Sequence, residues 1–89
     1  MADTQLVGDG VSPWRAVVEV TVRALVDRPE AVRVTESERR GVAVLELKTA
    51  PDDMGKIIGR QGRTAAALRT LVGLTAEHHG KRAQLDIRD

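Results

Sequence analysis

The amino-acid sequence predicts a single α+β domain in which helices pack on one face of a three-stranded sheet. Stretches with apolar residues at helical spacing occur beside stretches that repeat every second residue. The 89 residues contain no cysteine, so aliphatic packing must hold the fold together. A chain of this length buries about 60–65 per cent of its unfolded surface, which suffices for one core. The predicted order is helix, strand, strand, helix, helix, strand, with a flexible segment at 1–11 and the domain at 12–89.

The first helix is predicted over residues 13–27. Ser12 supplies a hydroxyl that can cap free amides, and Pro13 occupies the first helical position, where a missing N–H is tolerated. Apolar residues then recur every three or four positions, and Pro29 blocks any continuation. Trp14 is the only Trp, Tyr or Phe of the chain. We expect it to pack in the core rather than to stack on a ligand.

Two strands are predicted next, at residues 31–37 and 42–49, and a tight connection at 38–41 joins them. In the second strand apolar and charged residues alternate, which is the period of a sheet that is covered on one side only. The apolar side carries Ala43, Leu45 and Leu47, and the other side carries Glu46 and Lys48. Both strands should therefore lie with one face against the core.

Two helices follow, separated by glycines. Residues 50–53 open the first of them, because a proline and two carboxylates suit the positive end of a helix. This short helix should stop near Gly59. A longer one should begin after Gly62 and continue to about His79, where Gly80 supplies a C-terminal cap.

The closing segment, residues 82–88, alternates again and predicts a third strand. Its inward residues are Ala83, Leu85 and Ile87, and its outward residues are Arg82, Gln84, Asp86 and Arg88. The chain contains no internal repeat and no low-complexity segment. One small domain therefore accounts for all the predicted elements.

The turn between the two consecutive helices, residues 59–62, is called the glycine loop below. Glycine inside a helix is unfavourable by about 1 kcal/mol against alanine, so these glycines indicate helix caps or a close approach to the backbone. Gly59 can adopt a left-handed conformation, and Gly62 lets a phosphate come near the free amides of the next helix. The nearby cations are Lys56, Arg60 and Arg63. The pattern predicts a site for a sugar-phosphate backbone, and a plain connection with glycine caps is the alternative.

Charge is distributed unevenly along the chain. Residues 1–53 contain seven Lys or Arg against ten Asp or Glu, whereas residues 54–89 contain seven against three. The formal net charge of +1 thus conceals a basic C-terminal part. A basic face suits an anionic partner such as nucleic acid, although a solvated surface would also explain it.

Other motifs for phosphate binding or catalysis fit poorly. A P-loop needs Ser or Thr after its Gly-Lys pair, but Ile57 follows here, and a dinucleotide fingerprint would follow a strand. His78 and His79 point about 100° apart on a helix, so they cannot share one metal ion as an i, i+4 pair can. Asp52 and Asp53 have no nucleophile beside them. We expect no enzyme activity, no metal site and no cofactor.

The absence of cysteine suits a reducing compartment. Asp3 and Asp9 stand where a signal peptide needs cations. No apolar run approaches the about 18 residues that a membrane span requires. We therefore expect a soluble cytoplasmic protein without membrane association.

The glycine loop and its surroundings resemble a known family. Residues 57–62, IIGRQG, resemble the I-G-x-x-G signature of KH domains, and the predicted element order matches the bacterial type II arrangement. The wider run 45–71, LELKTAPDDMGKIIGRQGRTAAALRTL, is similar to the KhpA (YlqC) family of small bacterial RNA-binding proteins. The likeness covers roughly residues 13–89. It implies a type II KH domain whose loop clamps about four nucleotides of single-stranded RNA or DNA.

The resemblance also implies a groove. One wall would be the short helix, the glycine loop and the start of the next helix, and the other would be the strand from Arg82 with the preceding loop 79–81. Candidates for an apolar floor, or for plain core, are Ile57, Ile58, Ala65 and Leu85. KH modules often have a large aliphatic residue where this chain has Ala65, so the floor is shallower. The implied RNA-binding residues are Lys56, Ile57, Ile58, Gly59, Arg60, Gln61, Gly62, Arg63, Lys81 and Arg82.

Partners are implied in the same way. KhpA-like proteins pair with themselves or with a larger KH protein, KhpB (Jag), so the resemblance implies a homodimer or such a heterodimer. Leu71 and Leu74, on the apolar flank of the helix after Gly62, would form the contact or would pack against the first helix. The implied role is that of an RNA chaperone or post-transcriptional regulator. The alternative is a protein-interaction module that kept the fold without useful RNA affinity.

Overall fold

The computed structural model describes residues 11–88 of the chain. The predicted flexible segment, 1–11, lies outside the described residues except for Val11. The order of the helices and strands is the predicted one. The helices are α1 (Pro13–Leu25), α2 (Met54–Ile58) and α3 (Arg63–His78), and the strands are β1 (Arg33–Arg39), β2 (Val42–Lys48) and β3 (Arg82–Arg88). Within this range, no helix combines the length and the apolar character needed to cross a membrane.

The central strand of the sheet is β2. It pairs antiparallel with β1 and parallel with β3, so Leu45 lies opposite Glu36 on one side and Leu85 on the other. A parallel pair needs a crossover connection, which α2 and α3 supply. Side chains alternate across each strand, and Leu45 and Leu47 are completely buried whereas Lys48 is exposed. Val44, on the other face of the central strand, is nevertheless only 7% exposed, so the predicted alternation holds in part.

The core lies between the covered face of the sheet and the helices. Val18 and Val22 come from α1, Leu68 and Val72 from α3 and Ile57 from α2, all at most 2% exposed. Burying one such aliphatic side chain contributes about 1.5–3 kcal/mol. The strands and the segment before β1 complete the cluster with Val32, Val34, Leu45, Leu47 and Leu85. All three helices are thus held through one apolar cluster.

Three polar contacts fix the start of α1. The amide of Arg15 donates to Ser12 Oγ at 3.2 Å, which confirms the predicted cap. Ser12 Oγ donates to Glu36 Oε1 at 2.8 Å, and Trp14 Nε1 donates to Glu36 Oε2 at 3.0 Å. The Trp14 ring itself is half-buried against the core, as predicted. Glu36 therefore joins the first turn of α1 to β1.

Several helix and strand boundaries differ from the prediction. The first helix ends at Leu25 and not at residue 27, because Val26 has extended backbone angles. The first strand begins at Arg33 and not at residue 31, because Pro29–Ala31 form a 3-10 turn. The second strand ends at Lys48, one residue earlier than predicted. The later start of β1 thus follows from a turn that begins at Pro29.

The hairpin between β1 and β2 is tighter than the predicted connection at 38–41. Arg39 still belongs to β1, and only Arg40 and Gly41 form the turn. Their φ angles are 55° and 79°. Two consecutive positive φ angles are typical of the type I′ turn, whose twist matches that of the flanking strands.

The end of α3 is closed by a glycine cap, as predicted. The helix ends at His78, and Gly80 has φ 71°. The amide of Gly80 donates to Glu77 O at 3.0 Å, and the amide of Lys81 donates to Ala76 O at 2.9 Å. These two bonds form the Schellman motif, which satisfies carbonyl groups that a helix end otherwise leaves free.

Candidate nucleic-acid interface

The glycine loop connects α2 to α3 through one 3-10 turn, Arg60–Gly62. Gly59 has φ 76° and ψ 171°, a region that is accessible essentially only to glycine. The positive φ agrees with the prediction. The predicted left-handed conformation is wrong, however, because the ψ angle is extended and turns the chain away from the α2 axis. A Cβ at Gly59 would lie 2.7 Å from Thr64 Cβ and 2.9 Å from Thr64 N. The first glycine of the loop is therefore required by close packing.

The second half of the loop is open. Gly62 is left-handed, with φ 74° and ψ 14°, and a Cβ there would meet nothing within 4 Å. Gln61 has φ 58° and ψ 25°, which is uncommon for a residue other than glycine. The sequence contained no signal for this conformation of Gln61. The space around the missing Cβ of Gly62 is thus open.

The start of α3 is positively charged. The amide of Arg63 donates to Arg60 O, but no described side chain caps this helix, and its first turn contains no acidic residue. The first amides of a helix carry about half a positive charge, which favours an anion. The side chains of Arg60 and Arg63 are exposed, and Arg63 Nη2 donates to Gln61 Oε1 at 3.1 Å. Exposed cations and uncapped backbone amides therefore lie within a few residues of each other.

Lys56 belongs to a different environment from the two arginines. Its Nζ lies 3.1 Å from Asp27 Oδ2 and 3.7 Å from Asp53 Oδ1. The hydrogen bond to Asp27, followed by the charge of that carboxylate, raises the pKa of Lys56. The ammonium stays charged, but two carboxylates share it.

Asp53 is the polar residue whose role the sequence analysis missed. The sequence predicts only a helix-start residue here, yet its side chain is 1% exposed. Its Oδ1 accepts the amide of Asp27 at 3.1 Å, and its Oδ2 accepts the amide of Arg28 at 3.0 Å. The Asp27 amide, against the opposing effect of burial and helped by the Arg28 amide and Lys56, lowers the pKa of Asp53. We call Asp53, Lys56, Asp27 and the Arg28 amide the Asp53 clamp.

The four candidates for an apolar floor separate into two groups. Ile57, Ala65 and Leu85 are at most 3% exposed and belong to the interior. Ile58 is 39% exposed and lies directly before the glycine loop. Ile57 was also named as an RNA-binding residue, but in this structure its side chain supports the loop from the core. Of these four candidates, only Ile58 offers an exposed apolar surface beside the loop.

Lys81 and Arg82 lie at the opposite end of α3 from the glycine loop. The helix has 16 residues and is therefore about 24 Å long at about 1.5 Å per residue. The two cations line a depression together with residues of the β1–β2 turn and the last turns of α3, among them Gly41 and Glu77. The structure thus brings Lys56, Ile58 and residues 59–63 together but leaves Lys81 and Arg82 apart from them.

The adjacent histidines lie at the exposed C-terminal end of α3. The ring centroids of His78 and His79 are 5.1 Å apart, and the ring of His79 is 6.3 Å from that of Trp14. Within residues 11–88, no group of three His, Cys, Asp or Glu side chains is placed to hold a metal ion. The described candidate interface therefore offers charged side chains and backbone amides as its binding groups.

Comparison with known proteins gives one family. Residues 15–87 match the family described as the KH domain of KhpA/KhpB. The RNA-binding protein KhpA of Halalkalibacterium halodurans is 48% identical over 75 residues, which are 84% of this chain and 99% of that protein. KhpA of Aquifex aeolicus is 44% identical over 77 residues, which are 86% and 98% of the two chains. KhpA of Leifsonia xyli is 47% identical over 68 residues, which are 76% and 87% of the two chains.

A solved structure shares the fold. The crystal structure of an Aquifex aeolicus Era variant bound to GDP.AlF4- superimposes with a TM-score of 0.60 at 16% identity. The match covers 83% of this chain but 29% of the Era chain. At this level of identity the likeness concerns the arrangement of helices and strands alone.

Proposed function

Because the chain belongs to the KhpA/KhpB KH-domain family, we propose that it is a non-catalytic RNA-binding protein whose glycine loop holds about four nucleotides of single-stranded RNA. The observation that carries this proposal is the open space over Gly62, directly before the uncapped first turn of α3. The relatives are named RNA-binding proteins, which supports the same class of partner.

The phosphate of one nucleotide would lie at the start of α3. There the amides and the positive end of the helix attract an anion, and the missing Cβ of Gly62 permits close approach. Arg60 and Arg63 add mobile charge from the surface. Such contacts position the strand without reading its sequence. Ile58 supplies an apolar contact for an adjacent base.

The remaining predicted residues have supporting roles in this proposal. Lys56 offsets two carboxylates that would otherwise repel the RNA backbone. Ile57 holds the loop through the core. Lys81 and Arg82 attract a strand that continues past the loop along α3. Their contribution is therefore expected to be smaller than that of the two loop arginines.

The direct test is the double variant Arg60→Asp with Gln61→Asp. Two acidic side chains would face the RNA backbone, so affinity for a short oligouridine or oligoadenylate should collapse. Exposed substitutions usually change stability by less than about 0.5 kcal/mol, and Asp tolerates the positive φ of position 61, so the melting temperature should barely move. Fluorescence anisotropy and thermal unfolding measure the two quantities.

A matched control variant replaces one Arg and one Gln by Asp at positions outside the glycine loop. Arg39→Asp with Gln84→Asp makes the same change in net charge at two exposed strand positions away from the loop. It should weaken RNA binding far less than the loop variant. Equal loss in both variants would mean that net charge alone governs binding, and unchanged binding in the loop variant would reject the site.

We further propose that the protein works as a pair, in the cytoplasm, as an RNA chaperone or post-transcriptional regulator. Four nucleotides without aromatic stacking should gain roughly 4–8 kcal/mol, taking about 1–2 kcal/mol per base. This corresponds to about millimolar to micromolar binding, which a second tethered site can strengthen by about 10²–10⁴. Leu71 and Leu74 are 42% and 57% exposed, which favours them as the contact with a second copy or a KhpB (Jag) type partner.

Sedimentation of the chain at tens of micromolar, alone and with such a KH partner, tests the pairing. Leu71→Ser with Leu74→Ser should dissociate the pair, whereas Val20→Ser, at another exposed apolar residue, should not. A monomer in both experiments that nevertheless binds RNA tightly would reject the pairing. A stable pair without measurable RNA binding would instead favour the alternative function, a protein-interaction module.

A further inference from the structure

The second helix depends on tertiary contacts for its place. It has five residues, and isolated helices shorter than about 12–15 residues are marginal in water. No described side chain caps its first turn. Two buried side chains hold it: Ile57, whose partners are in the core, and Asp53, whose partners follow α1. The orientation of α2 therefore results from these two anchors.

The two anchors restrict α2 in different ways. Burial of Ile57 turns one face of α2 toward the core, but the hydrophobic effect has no preferred direction and restricts small rotations of the helix only weakly. Hydrogen bonds are directional, and both oxygens of Asp53 accept consecutive amides, those of Asp27 and Arg28. Gly59 follows α2 directly, so a rotation of α2 would move the glycine loop with it.

We infer that Asp53 is a positioning residue for RNA binding: through the clamp it fixes the orientation of α2, and hence of the glycine loop, without touching RNA. This inference rests on the proposed RNA binding at the loop. Charge alone predicts the opposite effect for this residue. Removing a carboxylate near an anionic ligand should strengthen binding, whereas loss of positioning should weaken it.

The test compares Asp53→Asn with Asp52→Asn, its exposed neighbour. Both remove one negative charge, but only Asn at position 53 loses a bond, because its Nδ2 cannot accept an amide. Below the melting temperature, Asp53→Asn should weaken oligouridine binding about tenfold, as expected for one charge-assisted hydrogen bond, and leave the salt dependence unchanged. Asp52→Asn should bind at least as tightly as the parent.

Two-dimensional NMR of the same variants reports on the loop itself. In Asp53→Asn the amide signals of Gly59 and Gly62 should shift or broaden, whereas that of Gly80, at the other end of α3, should stay. If Asp53→Asn binds as Asp52→Asn does and its loop signals do not move, the inference is wrong. If the parent chain binds no RNA, the proposed function fails instead.

Hydrogen exchange in the unmodified protein gives a second measurement if Asp53→Asn does not fold. Coupling between two sites is reciprocal, so RNA bound at the loop should slow exchange of the Asp27 and Arg28 amides that Asp53 accepts. The Ala16 amide, which donates to Ser12 O at 2.9 Å at the start of α1, serves as the internal reference. Slower exchange at both clamp amides supports the positioning role, and unchanged exchange in an RNA-saturated sample overturns it.

Discussion

The two ends of α3 contain the same kind of residue in opposite electrostatic settings. Gly62 begins the helix with φ 74° and Gly80 follows its end with φ 71°. At the start, no described side chain caps the amides and no acidic residue lies in the first turn. At the end, Gly80 and Lys81 donate to two of the terminal carbonyl groups. The amides at the start of α3 can therefore still bind an anion, whereas carbonyl groups at its end already accept hydrogen bonds from the chain itself.

Because of this difference, the cations at the two ends of α3 are expected to favour anion binding to different extents. Arg60 and Arg63 stand at the positive end of the helix, where their charge adds to that of the amides. Lys81 stands beside the negative end, where a cation first compensates the helix itself. Basic residues in equal number therefore do not make equal anion sites, and substitutions at the loop end should have the larger effects on RNA binding.

The largest effect is expected for Gly59→Ala. The backbone angles of Gly59 cost other residues about 1–3 kcal/mol, and crowding against Thr64, including its backbone nitrogen, adds about 1–3 kcal/mol. A loss of this size lowers the melting temperature by many degrees, since about 1 kcal/mol corresponds to about 4–8 °C in a small domain. RNA binding should disappear even in the folded fraction. Thermal unfolding and anisotropy at low temperature measure both. A stable variant that still binds RNA would mean that the loop adapts without its first glycine.

Glycines, prolines and periodicity made the fold predictable, because they act on sequence neighbours. The same local signals located the glycine loop and the cap of α3. The Asp53 clamp was not predictable, since its two amide partners precede Asp53 by 26 and 25 residues. Periodicity also cannot decide, in a helix of five residues, whether Ile57 or Ile58 faces the core. The clamp and the inward face of α2 could not be predicted because both depend on tertiary packing.

A smaller effect, and a sharper comparison, is expected from Gly62→Ala and Gly41→Ala. Both glycines have positive φ with open space around the missing Cβ, so each variant should lose about 1–2 kcal/mol of stability. Gly41 lines the depression beside Lys81 and Arg82. Only the methyl group at position 62 would stand where a phosphate approaches, so only Gly62→Ala should bind RNA more weakly, by about tenfold or more. Equal affinities for the two variants would argue against phosphate binding over Gly62.

Acid should loosen the loop end of α3 when Asp53 becomes protonated. The Asp27 amide, the Arg28 amide and Lys56 together lower the pKa of Asp53 in the folded protein against the effect of burial. A lowered pKa contributes stability that is present above about pH 3.9, the ordinary aspartate value, and is lost as pH falls through the folded value below it. Gly59 and Gly62 amide signals should therefore change as pH falls through this range. The Asp53→Asn variant should lack this change, and the same change in that variant would contradict the clamp as its source.

The smallest expected effect is in the salt dependence of binding. Each phosphate neutralised on a single strand contributes about 0.7 to the slope of log affinity against log salt, so about three contacts predict a slope near −2. Arg60→Ala with Arg63→Ala should reduce its magnitude by up to about 1.4, because both cations act at the positive end of α3. Lys81→Ala with Arg82→Ala should reduce it by less than about 0.7, because these cations compensate the negative end of the helix and lie away from the loop.

Titrations of oligouridine at several salt concentrations measure all three slopes. A flat dependence in the parent would mean that the basic residues are only a solvated surface, and equal reductions in the two double variants would show that the ends of α3 do not differ as binding sites.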